Sequence, residues 1–79
     1  MTQVQHLLPG DLVTQGEMSA VYVTQAEHPL FPGLRLVVWR LDGGGWSHDA
    51  LRPDQDVGEA AVTVPAQRAV RLRRALGVA

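Results

Sequence analysis

The sequence predicts a mainly β protein: a small five-stranded antiparallel barrel over residues 9–64, followed by a C-terminal α-helix over residues 65–77. Three observations lead there. Residues 19–26 and 34–41 are rich in Val, Tyr, Thr, Leu and Trp, which suit a pleated, half-buried surface. Glycine and proline turn signals punctuate the chain at short intervals up to residue 58. At Pro65 the pattern changes to Ala, Arg, Leu and Gln, all good helix formers. The 79 residues make one domain with a thin core. With 46% hydrophobic and 19% charged residues the composition is that of a globular chain, not a disordered one.

Residues 1–8 read as a lead-in, and Pro9-Gly10-Asp11 as the turn that launches the first strand, Leu12–Gln15. Gln15-Gly16-Glu17-Met18 forms a hairpin loop into Ser19–Ala26, with Val21 and Val23 on one face and Ala20, Tyr22 and Thr24 on the other. The loop Glu27–Gly33 holds Pro29 and Pro32, which cannot donate to a sheet. Leu34–Leu41 is the strongest strand signal. Leu34, Leu36 and Val38 face one way and Val37, Trp39 and Leu41 the other, and a strand apolar on both faces belongs in the interior of a sheet or is covered on its second side. Asp42-Gly43-Gly44-Gly45 supplies the positive φ of a hairpin turn. Trp46–Leu51 returns as a short strand, residues 52–58 turn around Pro53, and Glu59–Val64 is the fifth strand. From Pro65, helix is favoured over strand for residues 66–76, with proline in the first turn and Gly77 just past the end. On that helix Ala69, Leu72 and Leu76 form an apolar stripe, and Arg71 and Arg74 lie opposite it.

Five short strands with a Gly10-Asp11-Leu12-Val13 entry, a Tyr22-Val23 strand and the hairpin Leu36-Val37-Val38-Trp39-Arg40-Leu41-Asp42-Gly43-Gly44-Gly45-Trp46 resemble a small Src-homology-type β-barrel of the Tudor-like kind. The resemblance covers residues 9–64 and implies a binding module, although a fold does not fix a function. The chain also resembles short proteins of actinobacteria and their phages. Residue usage agrees: all seven basic residues are Arg, and Lys, Ile and Asn, which have AT-rich codons, are absent.

Formal charge is −1, which excludes a strongly basic nucleic-acid protein or a polybasic membrane binder as a description of the whole chain. The charge is nonetheless divided. Residues 1–64 carry 3 Arg against 8 acids, a net of −5, and residues 65–79 carry 4 Arg and no acid. Absence of cysteine removes disulfides, thiolate metal sites and thiol nucleophiles. No run approaches the ~20 apolar residues needed to span a bilayer, and the first residues lack the basic-then-apolar pattern of a secretory signal. A cytoplasmic protein with no membrane partner is expected.

No enzyme chemistry converges. Ser47-His48-Asp49 contains the triad residue types, but neighbours on a strand point to opposite faces and cannot form a relay. His6, His28 and His48, with Glu27 or Asp49 nearby, lack zinc-ligand spacing, so no metal or other cofactor is expected. Asp54 and Asp56 lack the spacing and terminal Glu of a calcium loop. Asp42–Gly45 leads into a strand, not into the helix N-terminus that a phosphate cradle needs. Trp39, among apolar neighbours, is assigned to the core. Leu30 and Phe31 form either an exposed tip or a plug for one end of the barrel.

The function expected is that of a non-enzymatic interaction module, an accessory or regulatory protein of a high-GC bacterium or its phage. Its partner is a protein, with a homodimer as a further option for so small a chain. The residues assigned to protein contact are Leu30, Phe31, Trp46, Arg71 and Arg74. The alternative is nucleic-acid binding through Arg68, Arg71, Arg73 and Arg74, which lack an interleaved aromatic for base stacking.

Overall fold

The computed structural model describes residues 1–61 and 64–77. It contains β1 (Leu12–Gln15), β2 (Met18–Glu27), β3 (Arg35–Leu41), β4 (Trp46–Leu51), β5 (Glu59–Ala60) and the helix α1 (Pro65–Ala75). The strands form one antiparallel sheet in the order β4-β3-β2-β1-β5. The mainly β architecture with a C-terminal helix is therefore as expected. The closed barrel is not: β4 and β5 are the two edges of an open sheet. The described part of the fifth strand is only two residues long, although Ala61 N–H still donates to the Leu12 carbonyl at 2.9 Å. Val62 and Thr63, which the sequence places in that strand, lie outside the described residues.

The tight turns follow the glycine signals. Gly16 (φ 62°) sits in the β1–β2 turn, where Gln15 pairs with Met18. Gly44 (φ 95°) closes the β3–β4 hairpin, in which Leu41 N–H donates to Gly45 O at 2.8 Å. Left-handed backbone of this kind is nearly free only for glycine.

A β-bulge in β2 corrects the sequence assignment of faces. Tyr22 pairs with Trp39 but Thr24 pairs with Val38, so Val23 is the extra residue. The bulge reverses the alternation beyond it, as one inserted residue must. Tyr22 therefore stays on the face of Val37 and Trp39, while Thr24 joins Leu36 and Val38 on the opposite face. The first face holds the core: Val13, Tyr22, Val37 and Trp39 are buried there, and the Tyr22 and Trp39 rings meet edge to face with centroids 5.8 Å apart.

Residues 1–8 are more than a lead-in. Val4 starts a 3₁₀ turn, Val4–His6, and both Val4 and Leu7 are buried in the core cluster. Backbone bonds tie this segment to residues 53–58: Thr2 N–H to Gly58 O, Val57 N–H to Thr2 O and Val4 N–H to Gln55 O, at 2.8–3.0 Å. The Gln25 amide adds a 2.9 Å bond to Val4 O. With a sheet only five strands wide, this segment is what covers the core face near Tyr22 and Val37.

Helix α1 corrects a second expectation. Its inward side is Arg68, Arg71, Leu72 and Ala75, rotated from the expected stripe of Ala69, Leu72 and Leu76; Ala69 and Leu76 are exposed. The docking point explains the rotation. Gly10 (φ 93°) lies so close beneath the helix that a Cβ there would overlap the Arg68 carbonyl. Arg71 Nη1 donates to Gly10 O at 2.8 Å, and Arg68 Nε lies 4.0 Å from Oδ1 of the buried Asp11. Polar partners at this corner outweigh the simple apolar pattern, because a buried carbonyl and carboxylate need donors.

Candidate functional site

The half of the core face not covered by the N-terminal segment is an open cleft of about 350 Å³. Its position follows from strand register. The hairpin turn sets Trp39 opposite Ser47 and Val37 opposite Asp49, which brings Trp39, Ser47 and Asp49 to one face. Val13, Ala20 and Leu41 line the cleft from β1, β2 and β3, and Leu51 and Val57 close its far side. Trp39 is 7% exposed, and its indole Nε1–H donates to Asp49 Oδ2 at 3.1 Å. That bond satisfies the ring nitrogen and holds the carboxylate at the cleft wall. Asp56, at the other wall, accepts from Thr2 N–H and Gly58 N–H through Oδ1, both at 3.0 Å. Met18, at the rim, is largely exposed.

The charge of this cleft is one-sided. Among the described residues that line it, Asp49 and Asp56 are charged and none is basic. An apolar floor beneath carboxylates complements an aliphatic stem with a cationic head, the chemistry of an arginine or lysine side chain.

No family model, curated protein or solved structure matches the chain. Among the described residues no three His, Cys, Asp or Glu side chains gather as a metal site, and no helix is long and apolar enough to cross a membrane. His48, opposite Val38, projects to the other face of β4 from Ser47 and Asp49, so these three residues form no relay.

The residues assigned to protein contact from sequence are spread over the surface. Leu30 and Phe31 are exposed at the tip of the loop between β2 and β3, so they form a tip, not a plug. His28 holds that tip: Nδ1 accepts from Leu30 N–H at 3.1 Å and Phe31 N–H at 3.3 Å, and the His28 and Phe31 rings lie 4.8 Å apart. Trp46 is half exposed at the start of β4, with the Arg40 guanidinium 4.8 Å above its ring. The β3 strand separates Trp46, beside Arg40, from the Phe31 loop beyond Arg35, about 17 Å at the usual rise per residue. Arg74 is exposed on α1. Arg71 is not free for a partner as expected, because it is bound to Gly10.

Asp49 and Asp56 were not singled out as contact residues by sequence. For Asp49 the signal exists in the glycine turn: once Leu41 faces Gly45, residue 49 must fall on the Trp39 face. Asp56 had no local signal, since its place depends on pairing with a segment more than fifty residues away.

Proposed function

We propose that this chain is a non-enzymatic protein-interaction module that receives a basic side chain of its partner in the cleft between Trp39, Asp49 and Asp56. The observation that carries this reading is the pairing of an apolar floor with two carboxylates and no cation among the described lining residues. The exposed Leu30–Phe31 tip and the Trp46–Arg40 pair supply further contact surface at either end of β3. The five-stranded antiparallel sheet, with Val4 and Leu7 of the N-terminal segment in its core, supports kinship with Src-homology-type barrels. The codon-linked residue usage supports an origin in a high-GC bacterium or its phage.

Nucleic-acid binding is the weaker reading. Two of its four arginines face the domain itself, Arg71 at Gly10 and Arg68 at Asp11. The remainder of the chain is net negative and would repel phosphates within a Debye length of about 8 Å.

The test is selection from a displayed random peptide library against the whole chain. Enriched peptides should share an Arg or Lys beside apolar residues, and Asp49→Ala should lose them while remaining folded. Enrichment of acidic peptides, or unchanged binding by Asp49→Ala, would overturn the proposal.

A further inference from the structure

The sheet has two unlike edges. β5 is two described residues long, whereas β4 offers six residues, Trp46–Leu51. Backbone pairing in an antiparallel ladder alternates between bonded and non-bonded pairs. The Leu41–Gly45 bond starts that alternation, so Ser47, Asp49 and Leu51 bond inward to β3. The N–H and C=O groups of Trp46, His48 and Ala50 therefore point away from the sheet. Among the described residues no backbone bond takes them. Edge strands are commonly guarded by Pro, Lys or a bulge. β4 has none of these, and its single charge is Asp49.

We propose that β4 pairs with β4 of a second copy, antiparallel about a two-fold axis through His48, to give a continuous ten-stranded sheet. This rests on the strand edge and not on what the cleft binds, although Ser47 and Asp49 belong to both surfaces. A two-fold axis normal to an antiparallel sheet keeps each face on its own side and can pass through either a bonded or a non-bonded pair. An axis at Asp49 sets two carboxylates opposite each other, and one at Ser47 keeps only Trp46–His48 of β4 paired, whereas the axis at His48 keeps Trp46–Ala50 in register with no like-charged pair. In that register Trp46 lies opposite Ala50 of the second copy, a large ring over a methyl group. Ser47 lies opposite Asp49 of the second copy, a hydroxyl donor facing a carboxylate. His48 meets His48, and two neutral imidazoles can donate and accept between themselves. No like-charged pair stands directly opposite along β4. The net charge of −1 sets little repulsion against association. The occupant is a second copy, and not an unrelated strand, because the same five residues, Trp46–Ala50, supply both halves of these pairs.

Sedimentation equilibrium of the whole chain from micromolar to millimolar concentration tests the dimer. The expected result is a rise to twice the chain mass of 8.6 kDa. The chain mass at every concentration overturns the proposal and leaves the edge to a strand of another protein. His48→Asp sets two carboxylates against each other at the axis and should shift the chain to monomer with an unchanged circular dichroism spectrum. Dimerisation equal to the parent would overturn the register. Because the chain has no cysteine, single substitutions give a clean cross-linking scan. Cα atoms of a bonded antiparallel pair lie about 5.5 Å apart, within disulfide reach. His48→Cys should therefore cross-link to itself much faster than Gln15→Cys. Equal rates would overturn the proposed axis.

Discussion

The Trp39 indole donates to Asp49 at 3.1 Å across two neighbouring strands, and this bond joins the core to the cleft. One side of the ring packs against Tyr22 while its nitrogen reaches the open wall. Removing the carboxylate leaves a donor near the cleft floor with only solvent to take it. Asp49→Ala is expected to cost about 1–2 kcal/mol, the scale for losing one partner of a partly buried bond. In a domain of this size that lowers the thermal midpoint by roughly 4–16 °C, read by tryptophan fluorescence. An unchanged midpoint would show that the bond adds nothing to stability.

The two tryptophans should behave oppositely. Trp39 is 7% exposed and Trp46 is 52% exposed. Trp39→Ala should cost about 3–5 kcal/mol, a large part of the ~5–15 kcal/mol available to a small domain. Trp46→Ala should stay within about 0.5 kcal/mol when measured on the monomer, as for most surface changes. Urea unfolding of both variants checks the contrast, and equal losses would contradict the assignment of Trp39 to the core.

Gly10 is where the helix meets the sheet. Its φ of 93° disfavours any side chain, and a Cβ would meet the Arg68 carbonyl. Gly10→Ala should therefore push α1 off its seat. Hydrogen exchange should then show faster exchange of α1 amides than of β3 amides. Gly33→Ala is the control: its φ is also positive, at 83°, but no atom lies within 4 Å of the new Cβ. Equal effects at the two sites would show that backbone strain alone, and not helix contact, governs the loss.

The four arginines of the helix should separate into two classes. Arg71→Gln removes the donor to Gly10 and should destabilise by about 1–2 kcal/mol, whereas Arg74→Gln, at an exposed position, should be close to neutral. Neither the parent nor the double variant should retain DNA or RNA at physiological salt. Submicromolar binding by the parent, with a salt slope that falls by roughly 1–2 units in the double variant, would restore the nucleic-acid reading.

Burial raises the Tyr22 phenol above its ordinary value of 10.0, against smaller lowering effects of Gln25 and Arg35. The folded state thus keeps the phenolic proton to higher pH than the unfolded chain does. Its contribution to stability is complete below about pH 10 and is lost as pH rises through the raised folded value. Tyr22→Phe should flatten this alkaline loss in denaturation midpoints measured from pH 8 to 12. A slope identical to that of the parent would assign the loss to other groups.

Sequence by itself determined the strands whose signals are local. The Val37–Trp39–Leu41 alternation marks the core face of β3, the glycines at 16 and 44 mark two hairpin turns, and Pro65 and Gly77 bracket the helix. Each depends on backbone preference or side-chain period within a few residues, which a linear sequence displays. Tertiary structure alone decided the rest. The bulge at Val23 changes which β2 residues face the core, although no glycine or proline marks it. The N-terminal residues enter the core through bonds to residues 53–58, and that pairing also sets Asp56 at the cleft. The helix turns its arginines inward because Gly10 O and Asp11 wait beneath it, where the apolar stripe alone predicts Leu76 and Ala69. The physical reason is common to all three: pairing register and polar satisfaction join residues far apart in the chain, and a local pattern holds no information about its distant partner.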